Sequence, residues 1–114
     1  MIEQTDLRII SLMIEKTKHI SEIYLNNGRE KIQSDYVLSD ALQFEFEKLY
    51  EDSTRLSVEF RINHPWLHID DLRGIRNRVA HNYESVSLTI LLDTAENNIP
   101  VLRESLENVL KEKN

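Results

Sequence analysis

Chain-breaking residues are rare in this sequence: two glycines and two prolines in 114 residues. A sheet of that length needs many tight turns, and turns draw on glycine and proline for backbone angles that other residues resist. A chain so poor in both is left with long helices joined by short connections. Hydrophobic residues make up 40% of it and charged residues 30%, which suits one domain over 1–114 with a single buried core rather than a disordered chain.

Apolar spacing positions the helices. Ile10, Met13, Thr17, Ile20 and Tyr24 recur at three- and four-residue steps. This predicts a first helix over about 5–26, capped by Thr5 or Asp6 and stopped by Asn26-Asn27-Gly28. Residues 29–36 read as a polar connection holding one short turn. Leu42, Phe46, Leu49, Ser53, Leu56 and Phe60 form a second stripe and predict a helix over 38–60 with Ser39 or Asp40 as its cap. The small Ser53 in that stripe reads as a close helix approach or as a residue facing a site. Asn63-His64-Pro65-Trp66 breaks the pattern, because proline removes a donor and restricts its predecessor.

A third helix follows over 69–81, with Ile69, Leu72, Ile75 and Val79 as its core face and Asp70 and Asp71 near its positive end. Tyr83-Glu84-Ser85 reads as a connection. Leu88, Leu91, Leu92 and Ala95 open a last helical stretch, which Pro100 either kinks or splits from the segment carrying Leu102, Leu106, Val109 and Leu110. The expected architecture is all-α, an up-and-down bundle of four or five helices.

Composition also excludes several function classes. Without cysteine there is no disulfide and no thiolate metal site, and a reducing cytoplasm suits the chain. No apolar run approaches the roughly 20 residues that span a bilayer, and the start Met1-Ile2-Glu3-Gln4-Thr5-Asp6 does not resemble a signal peptide. A cytoplasmic protein without membrane contact is expected. The net charge of −6 argues against a broad nucleic-acid surface, and no DNA partner is expected, but a local cationic site stays open. His64 and His68, followed by Asp70 and Asp71, invite a metal reading. Pro65 disrupts the helix that would align them and no third histidine is placed to help, so they read as exposed loop residues. His19 reads as a surface residue. No glycine-rich phosphate loop is present, and neither a metal nor a cofactor is expected.

The densest chemistry lies in Gly74-Ile75-Arg76-Asn77-Arg78-Val79-Ala80-His81-Asn82-Tyr83. Histidine exchanges protons near neutral pH. Arginine presents a fixed fork that grips phosphate and steadies charge on phosphoryl oxygens. Together they suffice for metal-independent RNA cleavage. Asn77 is four residues before His81 and can orient its ring. Arg76 and His81 are five apart, roughly 140° around an ideal helix. They converge if the helix ends near His81, or if two subunits bring their groups together across a two-fold axis. The same residues also suit a plain solvated helix face.

The run Arg76-Asn77-Arg78-Val79-Ala80-His81-Asn82-Tyr83 resembles the Arg-x4-His-x-Tyr signature of the HEPN superfamily, specifically the HepT-type toxins. The likeness extends to the first long helix, to Glu51-Asp52-Ser53-Thr54-Arg55-Leu56-Ser57, to the Gly74-Ile75 lead-in and to Pro100-Val101-Leu102-Arg103. Where the family has Pro-Trp before the motif helix, this chain has His68 and Ile69, with Trp66 displaced by three. The resemblance implies an all-α homodimer with its cleft at the interface, acting as a metal-independent ribonuclease on RNA such as tRNA or mRNA. It makes Arg76 and His81 the catalytic pair and Asn77 the polar residue beside the arginine. Glu51 would support the cleft, pairing with Arg76 or Arg73. Tyr83 matches the tyrosine that a small nucleotidyltransferase antitoxin modifies with AMP. The competing expectation is a noncatalytic helical partner that scaffolds a nucleotidyltransferase.

Overall fold

Twenty-four residues of unbroken helix, α1 (Gln4–Asn27), form the spine of the molecule. The computed structural model describes residues 2–80 and 84–112. On α1 the expected stripe is buried: Ile10, Met13, Thr17 and Ile20 are fully enclosed, with Ile9 and Ile14 beside them. The helix stops at Gly28, whose φ of +82° would strain any side chain and whose N–H donates to the Tyr24 carbonyl at 2.9 Å. Its start differs from expectation. Glu3 holds the cap position without a side-chain bond, and neither Thr5 nor Asp6 caps the helix. Asp6 is instead 3% exposed and accepts hydrogen bonds from the backbone N–H of Ser57 at 2.9 Å and its hydroxyl at 2.7 Å.

That contact explains a second difference. The stripe from Leu42 to Phe60 is buried at all six positions, yet the helix is not continuous over 38–60. The chain forms α2 (Arg29–Ser34), α3 (Tyr36–Thr54) and α4 (Val58–Asn63). Asp6 holds Ser57 in an extended conformation, φ −65° and ψ 154°, and Ser57 then caps α4 by accepting the Phe60 N–H at 3.1 Å. Asp35, rather than Ser39 or Asp40, caps α3 by accepting the Val37 N–H at 3.0 Å. Residues 29–34, expected as a polar connection, are helical because Ile32 anchors them in the core. Ser53 is buried, its hydroxyl donates to the Tyr50 carbonyl at 2.6 Å, and its own carbonyl accepts a bond from Arg61 of α4 at 2.8 Å.

The break around Pro65 falls where the sequence puts it, as a 3-10 turn over Pro65–Leu67. His68 follows in the left-handed region with φ +51°. Next come α5 (Ile69–Ala80) and α6 (Glu84–Asn97), so Glu84 and Ser85 are helical rather than connecting. Pro100 splits the last stretch, with α7 spanning Ile99–Glu112. Around it the helical ladder persists through Asn98: its N–H donates to Thr94, and its carbonyl accepts from Leu102, both at 2.9 Å.

Among the described residues there is no strand, and five helices of twelve residues or more carry the architecture with two six-residue helices. The fold is the expected all-α, HEPN-like bundle. α1 packs on α3 and α7, while α5 packs on α3 and α6. No described helix is long and apolar enough to cross a membrane.

Candidate active site

α5 is held by one face only. Ile69 and Leu72 are buried and Ile75 and Val79 half-buried, whereas Arg73, Gly74, Arg76, Asn77 and Arg78 are all exposed. The charges follow the helix dipole, with Asp70 and Asp71 in the first turn and Arg78 in the last. Arg73, Arg76 and Asn77 stand at i, i+3 and i+4 and therefore share one surface. At the end of α5 the Ser87 hydroxyl of α6 donates to the Val79 carbonyl at 2.7 Å, tying the two helices together.

Arg76 lies against α3. Its Nε donates to Glu47 Oε1 at 3.5 Å, and its guanidinium carbon sits 5.1 Å from the centre of the Tyr50 ring. Both charged side chains are about half exposed, at 48% and 51%. Beneath the arginine is a hollow of ≈ 70 Å³ lined by Phe46, Tyr50, Leu72, Ile75, Val79 and Leu91. Glu51, expected to pair with Arg76 or Arg73, instead meets Lys48 at 3.5 Å. Glu47, one helical turn earlier, takes the arginine.

Sequence reasoning missed Glu47 and Tyr50, although a signal existed. Gln43, Glu47 and Tyr50 repeat the core stripe Leu42, Phe46 and Leu49 one residue later. A flanking stripe of that kind faces the neighbouring helix at the edge of the core. Arg73 and Asn77 are at the surface of α5, as their spacing requires. His81 and Tyr83 lie outside the described residues.

The other candidates resolve into structural roles. His64 is half-buried rather than a free loop residue. Its ring stacks on Phe60 with centroids 4.1 Å apart, and Nδ1 lies 2.8 Å from the Phe60 carbonyl. Because a carbonyl only accepts, Nδ1 carries the proton. His68 is exposed. Among the described residues no group of three metal-ligating side chains is assembled. His19 is only partly at the surface, and its Nδ1 meets Glu45 of α3 at 2.7 Å. A larger groove of ≈ 1130 Å³ lies between the start of α1, α4 and the end of α7, lined in part by Glu3, Asp6, Ser57, Phe60 and Leu110. It includes no residue of α5, and both oxygens of its buried carboxylate are engaged by Ser57.

An exposed, arginine-bearing helix face on this bundle is matched by a known family over most of its length: residues 13–109 fit the family described as Ribonuclease HepT-like. The chain belongs to the HepT-like ribonucleases. No solved structure matches it. The HepT-like match begins within α1 and ends within α7, so it takes in the α3–α5 contact as well as the Arg76–Tyr83 segment. Membership in a ribonuclease family makes RNA the substrate class.

Proposed function

We propose that this chain is a metal-independent endoribonuclease, the toxin half of a toxin–antitoxin pair, working as a homodimer whose cleft joins the α5 faces of two copies. The observation that carries the reading is Arg76, an arginine half exposed on a HepT-like frame and offered outward beside Arg73 and Asn77. In the proposed reaction the ribose 2′-oxygen attacks phosphorus while His81 takes its proton. The bond from phosphorus to the 5′-oxygen breaks, and the second copy's imidazole returns a proton to that oxygen. The products are a 2′,3′-cyclic phosphate and a 5′-hydroxyl. Arg76 grips the non-bridging oxygens as charge builds on them. Asn77 orients the imidazole, while Arg73 adds local positive charge and Glu51 serves as a supporting carboxylate of the cleft.

Regulation fits the same chemistry. A minimal nucleotidyltransferase partner would attach AMP to Tyr83, adding bulk and negative charge two residues from His81. That modification would exclude an RNA phosphate sterically and by repulsion.

Incubating the purified protein with tRNA and mRNA in EDTA tests the reading directly. Fragments ending in cyclic phosphate are expected from the wild type. His81→Ala should produce none while keeping its helical circular dichroism. Cleavage that persists in His81→Ala would sink the mechanism, and a wild type without cleavage would favour the scaffold role instead. Sedimentation reports the dimer, and mass spectrometry after co-expression with the nucleotidyltransferase reports Tyr83.

A further inference from the structure

We propose that Tyr50 and Glu47 of α3 are positioning residues that hold the Arg76 guanidinium edge-out for a phosphate. The proposal rests on the reading of Arg76 as the phosphate-binding residue. A guanidinium has two faces and three edges, and its grip on a phosphate is bidentate when two parallel N–H groups share one free edge. Here the guanidinium carbon lies over the Tyr50 ring, 5.1 Å from its centre, at a distance where cation and ring attract. The hydrogen bond and ion pair made by Arg76 both run through Nε to Glu47. Among the described residues the edge formed by the two terminal nitrogens meets no partner, which leaves it for a ligand. Arg76 also borders the small hollow lined by Phe46, Leu72 and Val79, an apolar setting that suits an arginine stem.

Stability does not account for this arrangement. An ion pair at 3.5 Å between side chains that are half exposed is strongly screened and contributes little to folding. Orientation is different. An arginine that already points outward loses less rotamer freedom on meeting phosphate than one sweeping through solvent. The ring and the carboxylate have opposite effects on binding. The ring attracts the guanidinium and leaves the phosphate alone. The carboxylate aligns the guanidinium and repels the phosphate.

Steady-state cleavage by the full-length protein separates these effects. Tyr50→Leu should lower kcat about 5- to 10-fold with KM changed less than about twofold, and Tyr50→Phe, which keeps the ring face, should restore most of the loss. Glu47→Ala should lower kcat about threefold while also lowering KM, because repulsion of the phosphate is removed along with the alignment. A second readout needs no RNA: the Arg76 Nε–H proton resonance, assigned by its disappearance in Arg76→Lys, should carry a ring-current shift that Tyr50→Phe retains and Tyr50→Leu loses.

Wild-type cleavage together with a Tyr50→Leu variant as fast as wild type would overturn the positioning role and leave the ribonuclease reading intact. A rise in kcat for Glu47→Ala would make that carboxylate a competitor and overturn its part. An intact ring-current shift in a protein that cuts no RNA would defeat the ribonuclease reading and, with it, the catalytic purpose of the cradle. Should Tyr50→Leu fail to fold, Glu47→Ala and the wild-type resonance still decide the matter.

Discussion

Two helices of this protein carry apolar stripes of the same kind and use them differently. α1 is embedded, with eight buried residues and neighbours in α3 and α7. α5 has only Ile69 and Leu72 buried, half-buries Ile75 and Val79, and leaves Arg73, Gly74, Arg76, Asn77 and Arg78 in the open. The difference separates a helix enclosed by its neighbours from one packed along a single face, and each can be perturbed without the other.

The largest effect is expected on α1. Met13→Ala, at a fully enclosed position, should cost about 2–5 kcal/mol in urea denaturation, whereas Arg76→Ala should leave the denaturation midpoint nearly unchanged while removing cleavage. A midpoint that falls as far for Arg76→Ala as for Met13→Ala would erase the contrast. Next is Asp6→Ala. It strips the Ser57 N–H and hydroxyl of their acceptor in a buried setting, and a loss of about 1–3 kcal/mol is expected.

Gly74→Ala goes the other way. A Cβ added there meets nothing within 4 Å, so helix propensity alone should stabilise the chain by about 0.5–1 kcal/mol. If cleavage falls in the same variant, the open space at Gly74 serves a partner or an RNA strand. The smallest effect concerns Tyr24, which donates to Glu96 at 2.5 Å. That bond, then burial, raises its pKa above the ordinary 10.0. The folded protein therefore keeps the phenol proton longer than the unfolded chain does. This contribution is full below pH 10 and is lost as pH climbs through the raised value. Tyr24→Phe should flatten the alkaline decline in thermal midpoint. An unchanged decline would assign it to other groups.

Local rules read most of the fold from sequence. The stripes on α1 and α5, the glycine stop at residue 28 and the proline break at residue 65 each depend on neighbours within a few positions. What escaped was non-local. Asp6 looks like a helix cap because such residues usually are, and only the folded chain shows it reaching Ser57. The site divides in the same way. Arg73, Arg76 and Asn77 share a face by spacing alone, whereas the choice of Glu47 over Glu51 as the partner of Arg76 depends on how α3 lies against α5. Ile32 is a smaller case: one apolar residue in a polar stretch gives no periodicity, yet it was enough to anchor α2.

The bond between Asp6 and Ser57 also bears on the order of folding. Its partners are 51 residues apart, so this bond waits for a long loop to close, whereas the Ser57 cap on Phe60 and the Arg61 bond to Ser53 are local. Until then residues 36–63 have the stripe of one straight rod. The bond from Asp6 is therefore expected to form late in assembly. Weakening it should hasten unfolding while leaving the rate of folding almost untouched.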